Sequence, residues 1–163
     1  MSRFEVRMTT RLDVTPQAAW EYLTSHDEWR LPFVPSVTKL TGGDIDIGSR
    51  FENKIRGGGR TWTVINEMTR VEPPRRLTWT QVNQDGPTAT IEGNYLLEPA
   101  DGGTEFTLHT VLETTSWGSG PAWLNRWILT KKVYPTFLRE LRNAVGADVP
   151  AIQRAARRPG ERG

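Results

Sequence analysis

Six polar side chains fall on the apolar side of segments that pattern as strands or as a helix, where they would face the interior. They are Asn53, Asn66, Gln81, Tyr95, Thr110 and Tyr134. A buried amide or hydroxyl without a hydrogen-bond partner costs about 1–3 kcal/mol. Several such groups on one concave face therefore predict a wet cavity or a polar ligand, unless they bond to one another or to buried water.

Aromatic side chains share this inward face, and the chain carries seven tryptophans in 163 residues. Large rings can stack on a flat ligand, although they can equally form an ordinary core. Together with the amides they predict a cavity wall that binds a flat, largely apolar molecule. The ligand-binding residues predicted in this way are Phe51, Asn53, Trp62, Trp79, Gln81, Thr110, Trp127 and Tyr134.

Asn66 and Tyr95 are the candidate catalytic residues, because an amide and a phenol can stabilise the oxygen charge that develops in a transition state. An aldol-type cyclisation would also need a proton acceptor of suitable pKa. The predicted inward positions carry no Asp, Glu or His. Substrate positioning is therefore the contribution that such a cavity can make.

The sequence predicts neither a metal site nor a cofactor. It has no cysteine, and neither of its two histidines stands at ligand spacing from a carboxylate. We interpret His26 and His109 as structural or solvated residues. His109 should point outward, because it alternates with the inward residues Leu108 and Thr110.

The elements that must position these side chains are mostly strands separated by Gly, Asp-Gly and Pro turns, which is typical of an antiparallel meander. Strands are predicted at residues 3–13, 37–41, 50–56, 60–72, 75–84, 89–98 and 104–114. A short helix should begin at Thr15-Pro16 and a second near residues 27–31. Met68 and Val71 both look buried, which implies a bulge between them.

A long amphipathic helix at residues 121–145 is predicted to close the fold. Apolar residues recur there at steps of three and four, which places them on one stripe at about 100° per residue. The stripe comprises Trp123, Trp127, Thr130, Tyr134, Phe137, Leu138, Leu141 and Val145, with Asn125 and Lys132 among the residues on the opposite side. Pro135 should kink the helix, because its ring removes one amide donor and clashes with the carbonyl four residues earlier.

Composition and charge favour one globular domain at residues 1–150 followed by a basic disordered tail at residues 151–163. Hydrophobic residues make up 36% and charged residues 25% of the chain, and the formal charge is +2. Residues 153–163 carry four Arg and one Glu, which leaves the rest of the chain at −1. A basic face for nucleic acid is therefore not predicted. Neither a membrane span nor a signal peptide is recognisable, so we expect a cytoplasmic protein.

Four stretches of the sequence resemble a known superfamily. They are VTPQAAWEYLTSHDEW, LPFVPSVTKL, GGDIDIGSRFE, and VEPPRRLTWT followed by GNYLLEPADGGTEFTLH. In this order and spacing they resemble the START-related, polyketide cyclase and lipid-transfer superfamily, SRPBCC, over nearly the whole chain except the tail. The resemblance implies an α+β helix-grip fold, in which a curved sheet of about seven antiparallel strands wraps around the long C-terminal helix. A hydrophobic cavity would lie between sheet and helix.

The resemblance implies a ligand rather than one reaction, because the superfamily includes polyketide cyclases, aromatases, lipid and hormone binders and self-resistance proteins. We expect the partner to be a hydrophobic, aromatic or polyketide-like small molecule. As an enzyme, the protein would be a cyclase, aromatase or dehydratase-type lyase or isomerase in natural-product biosynthesis. The alternatives are a non-catalytic carrier or sequestering protein, and a protein-interaction module.

One position departs from the aromatase and cyclase branch. That branch places a cavity arginine on the fourth strand shortly after an aromatic residue, and the stretch TWTVIN resembles it. The matching position here is Asn66, which offers a neutral group in place of a cation. The oligomeric state is not predicted.

Overall fold

The computed structural model describes residues 3–24, 36–57, 59–115 and 121–147, and the described strands form one antiparallel sheet. The strands are β1 (Arg3–Leu12), β2 (Ser36–Lys39), β3 (Arg50–Gly57), β4 (Arg60–Glu72), β5 (Arg76–Gln81), β6 (Thr88–Ala100) and β7 (Gly103–Thr114). Their order across the sheet is β1-β7-β6-β5-β4-β3-β2. The strands from β2 to β7 thus form a meander, and β1 pairs with β7. The predicted curved, seven-stranded antiparallel sheet is confirmed.

The first helix, α1 (Pro16–Thr24), begins as the sequence predicts. Thr15 Oγ1 accepts a hydrogen bond from the Ala18 amide at 3.2 Å, which satisfies one of the free donors at the helix start. The second short helix predicted near residues 27–31 lies outside the described residues. So does the tail at residues 151–163, whose disorder stays a prediction.

Two bulges adjust which side chains face the interior. The register of β4 against β5 shifts just after Met68, and both Met68 and Val71 pack with the core, which confirms the predicted bulge. A second shift, between Thr90 and Glu92 in β6, was not predicted. It makes Ile91 the extra residue of a bulge, which interrupts the pairing of β6 with β7 at this position.

The core lies between the inner face of the sheet and the helices α1 and α3. Its largest fully buried apolar side chains come from five different elements: Leu12, Leu23, Leu97, Phe106 and Val145. Strand and helix patterns both turn apolar residues towards this layer, so its burial links the two ends of the chain.

The outer face of the sheet carries a polar network around Asn94, which is only 1% exposed. Its side-chain carbonyl accepts hydrogen bonds from Thr78 Oγ1 at 2.8 Å and from an Arg76 guanidinium nitrogen at 3.1 Å. On the same face, His109 Nε2 contacts a Glu5 carboxylate oxygen. The predicted outward direction of His109 is therefore confirmed, and its imidazole interacts with Glu5 on the outer face of the sheet.

The C-terminal helix is divided by a π-turn. It consists of α2 (Ala122–Ile128), the π-turn (Leu129–Val133) and α3 (Tyr134–Ala147). The Tyr134 amide donates to the Leu129 carbonyl, five residues earlier instead of four. Pro135 follows immediately and has no amide hydrogen to continue the α-helical ladder. None of the described helices is long and apolar enough to cross a membrane.

The π-turn overturns part of the predicted helix stripe. Because it inserts one residue into the turn, everything before it is rotated by about 100° relative to α3. Trp123 and Trp127, predicted to be buried, are 68% and 48% exposed. Leu124 and Leu129 are half-buried. Beyond the π-turn the predicted phase is right, and the apolar residues Phe137, Leu138, Leu141 and Val145 are buried.

The phase of the C-terminal helix can be tested by one substitution on α3, at Leu141, and one on the π-turn, at Lys132. Leu141 is 4% exposed, so Leu141→Ala should lower the free energy of unfolding by about 2–5 kcal/mol through lost burial and a residual cavity. Lys132 is exposed, and Lys132→Ala should change it by less than about 0.5 kcal/mol. Urea unfolding midpoints measure both. Equal losses for the two variants would show that the helix phase is wrong.

Candidate ligand-binding site

Asn53 and Asn66 lie side by side on the inner face of the sheet. β3 and β4 pair so that Phe51 stands opposite Asn66 and Asn53 stands opposite Val64. The two asparagines are therefore diagonal neighbours on adjacent strands, a spacing that lets side chains meet one ligand. This arrangement confirms the predicted inward register of both strands.

The side-chain carbonyl oxygens of these two asparagines are buried, and neither accepts a hydrogen bond from a residue within the described ranges. Asn66 is only 9% exposed. Buried polar atoms in native proteins almost always have a partner, because leaving one unpaired costs about 1–3 kcal/mol. Two adjacent exceptions on one face therefore call for a partner from outside the described residues, such as a ligand or ordered water.

Two tryptophans on the same face are held in place by glycines. A Cβ atom added to Gly93 would lie 2.2 Å from Trp79 Cε2, and one added to Gly86 would lie 2.5 Å from Trp62 Cδ1. Each indole thus packs directly on a backbone that only glycine leaves uncovered. Both rings are partly buried, which gives the inner face a rigid aromatic wall.

Tyr95 sits at the centre of a cluster of rings. Its centroid lies 4.7 Å from that of Trp79 in an edge-on contact and 6.1 Å from that of Phe137, whose ring is nearly parallel. Its hydroxyl makes no hydrogen bond with any part of the chain that the structure describes. Burial, with a smaller contribution from the nearby Tyr134, raises the pKa of the Tyr95 phenol far above its usual range.

Tyr134 joins the first turn of α3 to the sheet. Its hydroxyl lies 2.7 Å from Thr110 Oγ1 on β7. Burial raises the pKa of Tyr134 to about 12, against the lowering effect of this hydrogen bond. Both inner-face phenols therefore keep their protons near neutral pH, where they can donate hydrogen bonds but cannot act as bases.

Gln81 faces inward but uses its amide within the protein. Its nitrogen lies 3.3 Å from both Asn83 Oδ1 and the Asp85 carbonyl oxygen, and its oxygen accepts from the Thr90 amide at 3.1 Å. It braces the β5–β6 connection, and its predicted contact with a ligand stays a prediction.

The two remaining predicted wall residues differ in their surroundings. Phe51 is 2% exposed and belongs to the core beside Asn66, whereas Trp127 lies on the exposed side of α2. Sequence reasoning missed Asn125, which it placed on the outer side of the helix. The Asn125 side-chain nitrogen is buried without a hydrogen-bond partner in the described part of the protein. The signal that could have found it is Pro135, whose π-turn rotates α2.

The inner face therefore offers aromatic surface and neutral hydrogen-bonding groups. The inward positions of β3 to β7 carry no Asp, Glu or His. No group of three His, Cys, Asp or Glu that could hold a metal occurs among the residues described. Such a surface can stack on a ligand, accept its hydrogen bonds and donate to its oxygens, but it supplies no strong acid or base.

A protein-family model described as "Polyketide cyclase / dehydrase and lipid transport" matches residues 3–146. The chain belongs to this family. The SRPBCC resemblance is thereby confirmed over every described element except the last residue of α3. A comparison with curated proteins found no match.

Solved structures share the fold of this family member at low sequence identity. A START superfamily protein from Mycobacterium smegmatis superposes with a TM-score of 0.73 at 10% identity, covering 88% of this chain and 97% of that one. The Zhui aromatase/cyclase from Streptomyces sp. R1128 gives 0.65 at 20% identity, covering 99% of both chains. The di-domain StfQ of the steffimycin biosynthetic pathway gives 0.71 at 14% identity, covering 91% of this chain and 52% of that one. These likenesses confirm the helix-grip fold.

The packing of Trp79 on Gly93 predicts a specific cost for Gly93→Ala. The new methyl group would displace a rigid indole, so the free energy of unfolding should fall by about 1–3 kcal/mol. Gly42→Ala is the matched control, because a Cβ there meets no atom within 4 Å, and it should change stability by less than about 0.5 kcal/mol. The same substitution in a Trp79→Leu background should cost less. An equal cost with and without the indole would refute this packing.

Proposed function

We propose that this protein binds a flat, largely apolar, aromatic or polyketide-like molecule between the inner face of its sheet and the C-terminal helix. The observation that carries the proposal is the pair of buried, unpartnered carbonyl oxygens of Asn53 and Asn66 on the face that also carries Trp62 and Trp79. The rings would stack on the ligand and the oxygens would accept its hydrogen bonds. Membership of the polyketide cyclase / dehydrase and lipid transport family supports a ligand of this class.

Binding is favoured over acid–base catalysis by the groups that face the ligand. The phenols of Tyr95 and Tyr134 are protonated near neutral pH, as an ordinary tyrosine is, and burial raises both of their pKa values further. The inward positions of β3 to β7 carry no carboxylate or imidazole that could accept a proton from a ligand on this face. The leading function is therefore that of a carrier or sequestering protein.

Guided cyclisation or dehydration is the second candidate, and the Tyr95 hydroxyl is the observation that favours it. It is a protonated donor without a partner in the described structure, so it could stabilise an oxyanion that forms on a bound intermediate. In an enzyme, Tyr95→Phe should lower kcat about 10²–10³-fold while changing affinity little. In a carrier, no conversion of a polyketide-like substrate should be detected in either protein.

The role of Asn66 can be tested with two probes that differ in one hydrogen-bond donor, 2-naphthol and 2-methoxynaphthalene. Titrations followed by tryptophan fluorescence should show quenching, and 2-naphthol should bind more tightly than 2-methoxynaphthalene. Asn66→Ala should weaken 2-naphthol binding by about 0.5–1.5 kcal/mol, up to roughly tenfold in Kd, and reduce the preference between the probes. Asn143→Ala, an exposed asparagine on α3, is the matched control and should leave both Kd values unchanged. Unchanged binding in the Asn66 variant would overturn its role.

If Trp62 stacks on the ligand, its removal should weaken the binding of both probes equally. Trp62→Ala should weaken the binding of each by about 0.5–1.5 kcal/mol beyond the lost contact area. Trp123→Ala removes an indole that is 68% exposed and should have no effect on either Kd. If neither Trp62→Ala nor Asn66→Ala changes binding of any probe that wild type accepts, the proposed site is wrong and these side chains are ordinary core.

A further inference from the structure

Helix α2 presents an apolar surface that the rest of the described chain leaves uncovered. Trp123, Trp127 and Ile128 are 68%, 48% and 37% exposed, and we call these three residues the α2 patch. Exposed clusters of large apolar side chains usually mark a contact surface for a membrane or a protein. The π-turn rotates α2 relative to α3, which turns these side chains outward.

Cations surround the α2 patch without carboxylates to balance them. Arg126, Lys131 and Lys132 are exposed, and none of them forms an ion pair with another described residue. Lys132 Nζ lies 5.6 Å from the centre of the Trp127 ring, a cation–π contact. Residues 114–139 contain no Asp or Glu, so every charged side chain of this segment is cationic.

The π-turn also explains how lysine and tryptophan come to share one side of the helix. Lys132 follows Trp127 by five residues, which would place the two about 140° apart on a regular α-helix. The i→i+5 hydrogen bond of the π-turn adds a residue between them, which reduces this angle, and Lys132 Nζ lies near the Trp127 ring. Aromatic and cationic groups are thus aligned on one surface.

A second copy of the chain is a poor occupant for this surface. A symmetric dimer through the patch would bring the three cations of one copy against those of the other, and residues 114–139 hold no carboxylate to relieve the repulsion. An anionic lipid bilayer has the complementary chemistry. Indole rings prefer the interface between headgroups and hydrocarbon, and lysine and arginine are attracted by anionic headgroups.

We propose that α2 docks this protein onto anionic membrane surfaces, with Trp123, Trp127 and Ile128 entering the interface and Arg126, Lys131 and Lys132 contacting the headgroups. The contact is peripheral, since no described helix could span the bilayer. The proposal stands on the exposed surface of α2 and is independent of the ligand in the interior.

The test is sedimentation of the full chain with vesicles of phosphatidylcholine, with or without phosphatidylglycerol. Wild type should bind the mixed vesicles and shift its tryptophan emission to the blue, and it should bind pure phosphatidylcholine far more weakly. Trp123→Ser/Trp127→Ser should lower the partition constant about tenfold or more and abolish the shift. Arg126→Gln/Lys131→Gln/Lys132→Gln should lower it about a hundredfold on mixed vesicles only. Thermal unfolding confirms that each variant is folded.

Two controls distinguish vesicle binding through the α2 patch from binding through cations elsewhere on the protein or in residues 151–163. Arg7→Gln/Lys54→Gln/Arg56→Gln removes three exposed cations elsewhere and should bind like wild type. The basic residues 151–163 are present in every variant, so any binding they cause is common to all. The proposal is overturned if wild type does not bind mixed vesicles, or if both α2 variants bind them as tightly as wild type does. Light scattering that shows a dimer dissociated by Trp123→Ser/Trp127→Ser would assign the patch to a second copy and also overturn it.

Discussion

The hydrogen bond from the Tyr134 amide to the Leu129 carbonyl decides which residues of the C-terminal helix meet the sheet. Because Pro135 cannot donate an amide hydrogen, the ladder is re-formed one residue wider just before it. Downstream, this phase buries Phe137 and Leu141 against the sheet. Upstream, it turns two tryptophans outward and Asn125 inward. This one backbone hydrogen bond thus determines which aromatic side chains of the C-terminal helix face the interior and which face solvent.

The sheet imposes a second constraint, because Trp62 and Trp79 pack on backbone positions where only glycine leaves room for the indole. Trp79 lies over Gly93 and Trp62 over Gly86, at distances that no Cβ would allow. Glycine is therefore required at positions 86 and 93 by the tryptophan that packs on each of them, and at position 86 also by the local backbone conformation. Both rings lie on the face of the sheet that also carries Asn53 and Asn66.

The sequence predicts most of this fold because hydrophobic periodicity and turn residues are local signals. The seven strands, the bulge after Met68 and the inward positions of Asn53 and Asn66 all follow from alternation between short turns. The bulge at Ile91 could not be predicted, because a single isoleucine fits either face of a strand. The exposure of Trp127 was missed because a kinked α-helix and a π-turn carry the same proline signal but differ by one residue of phase.

The unpartnered acceptors also suggest how the proposed site would discriminate among ligands. A molecule that brings donors to Asn53 and Asn66 would relieve an existing cost, whereas an apolar molecule of the same shape would leave both oxygens buried and unpaired. A site built in this way rejects the ligand that lacks the donor more strongly than a purely apolar pocket rejects one of the wrong size. Stacking on Trp62 and Trp79 would then provide affinity for flat rings in general, while the two oxygens would decide which of those rings is retained.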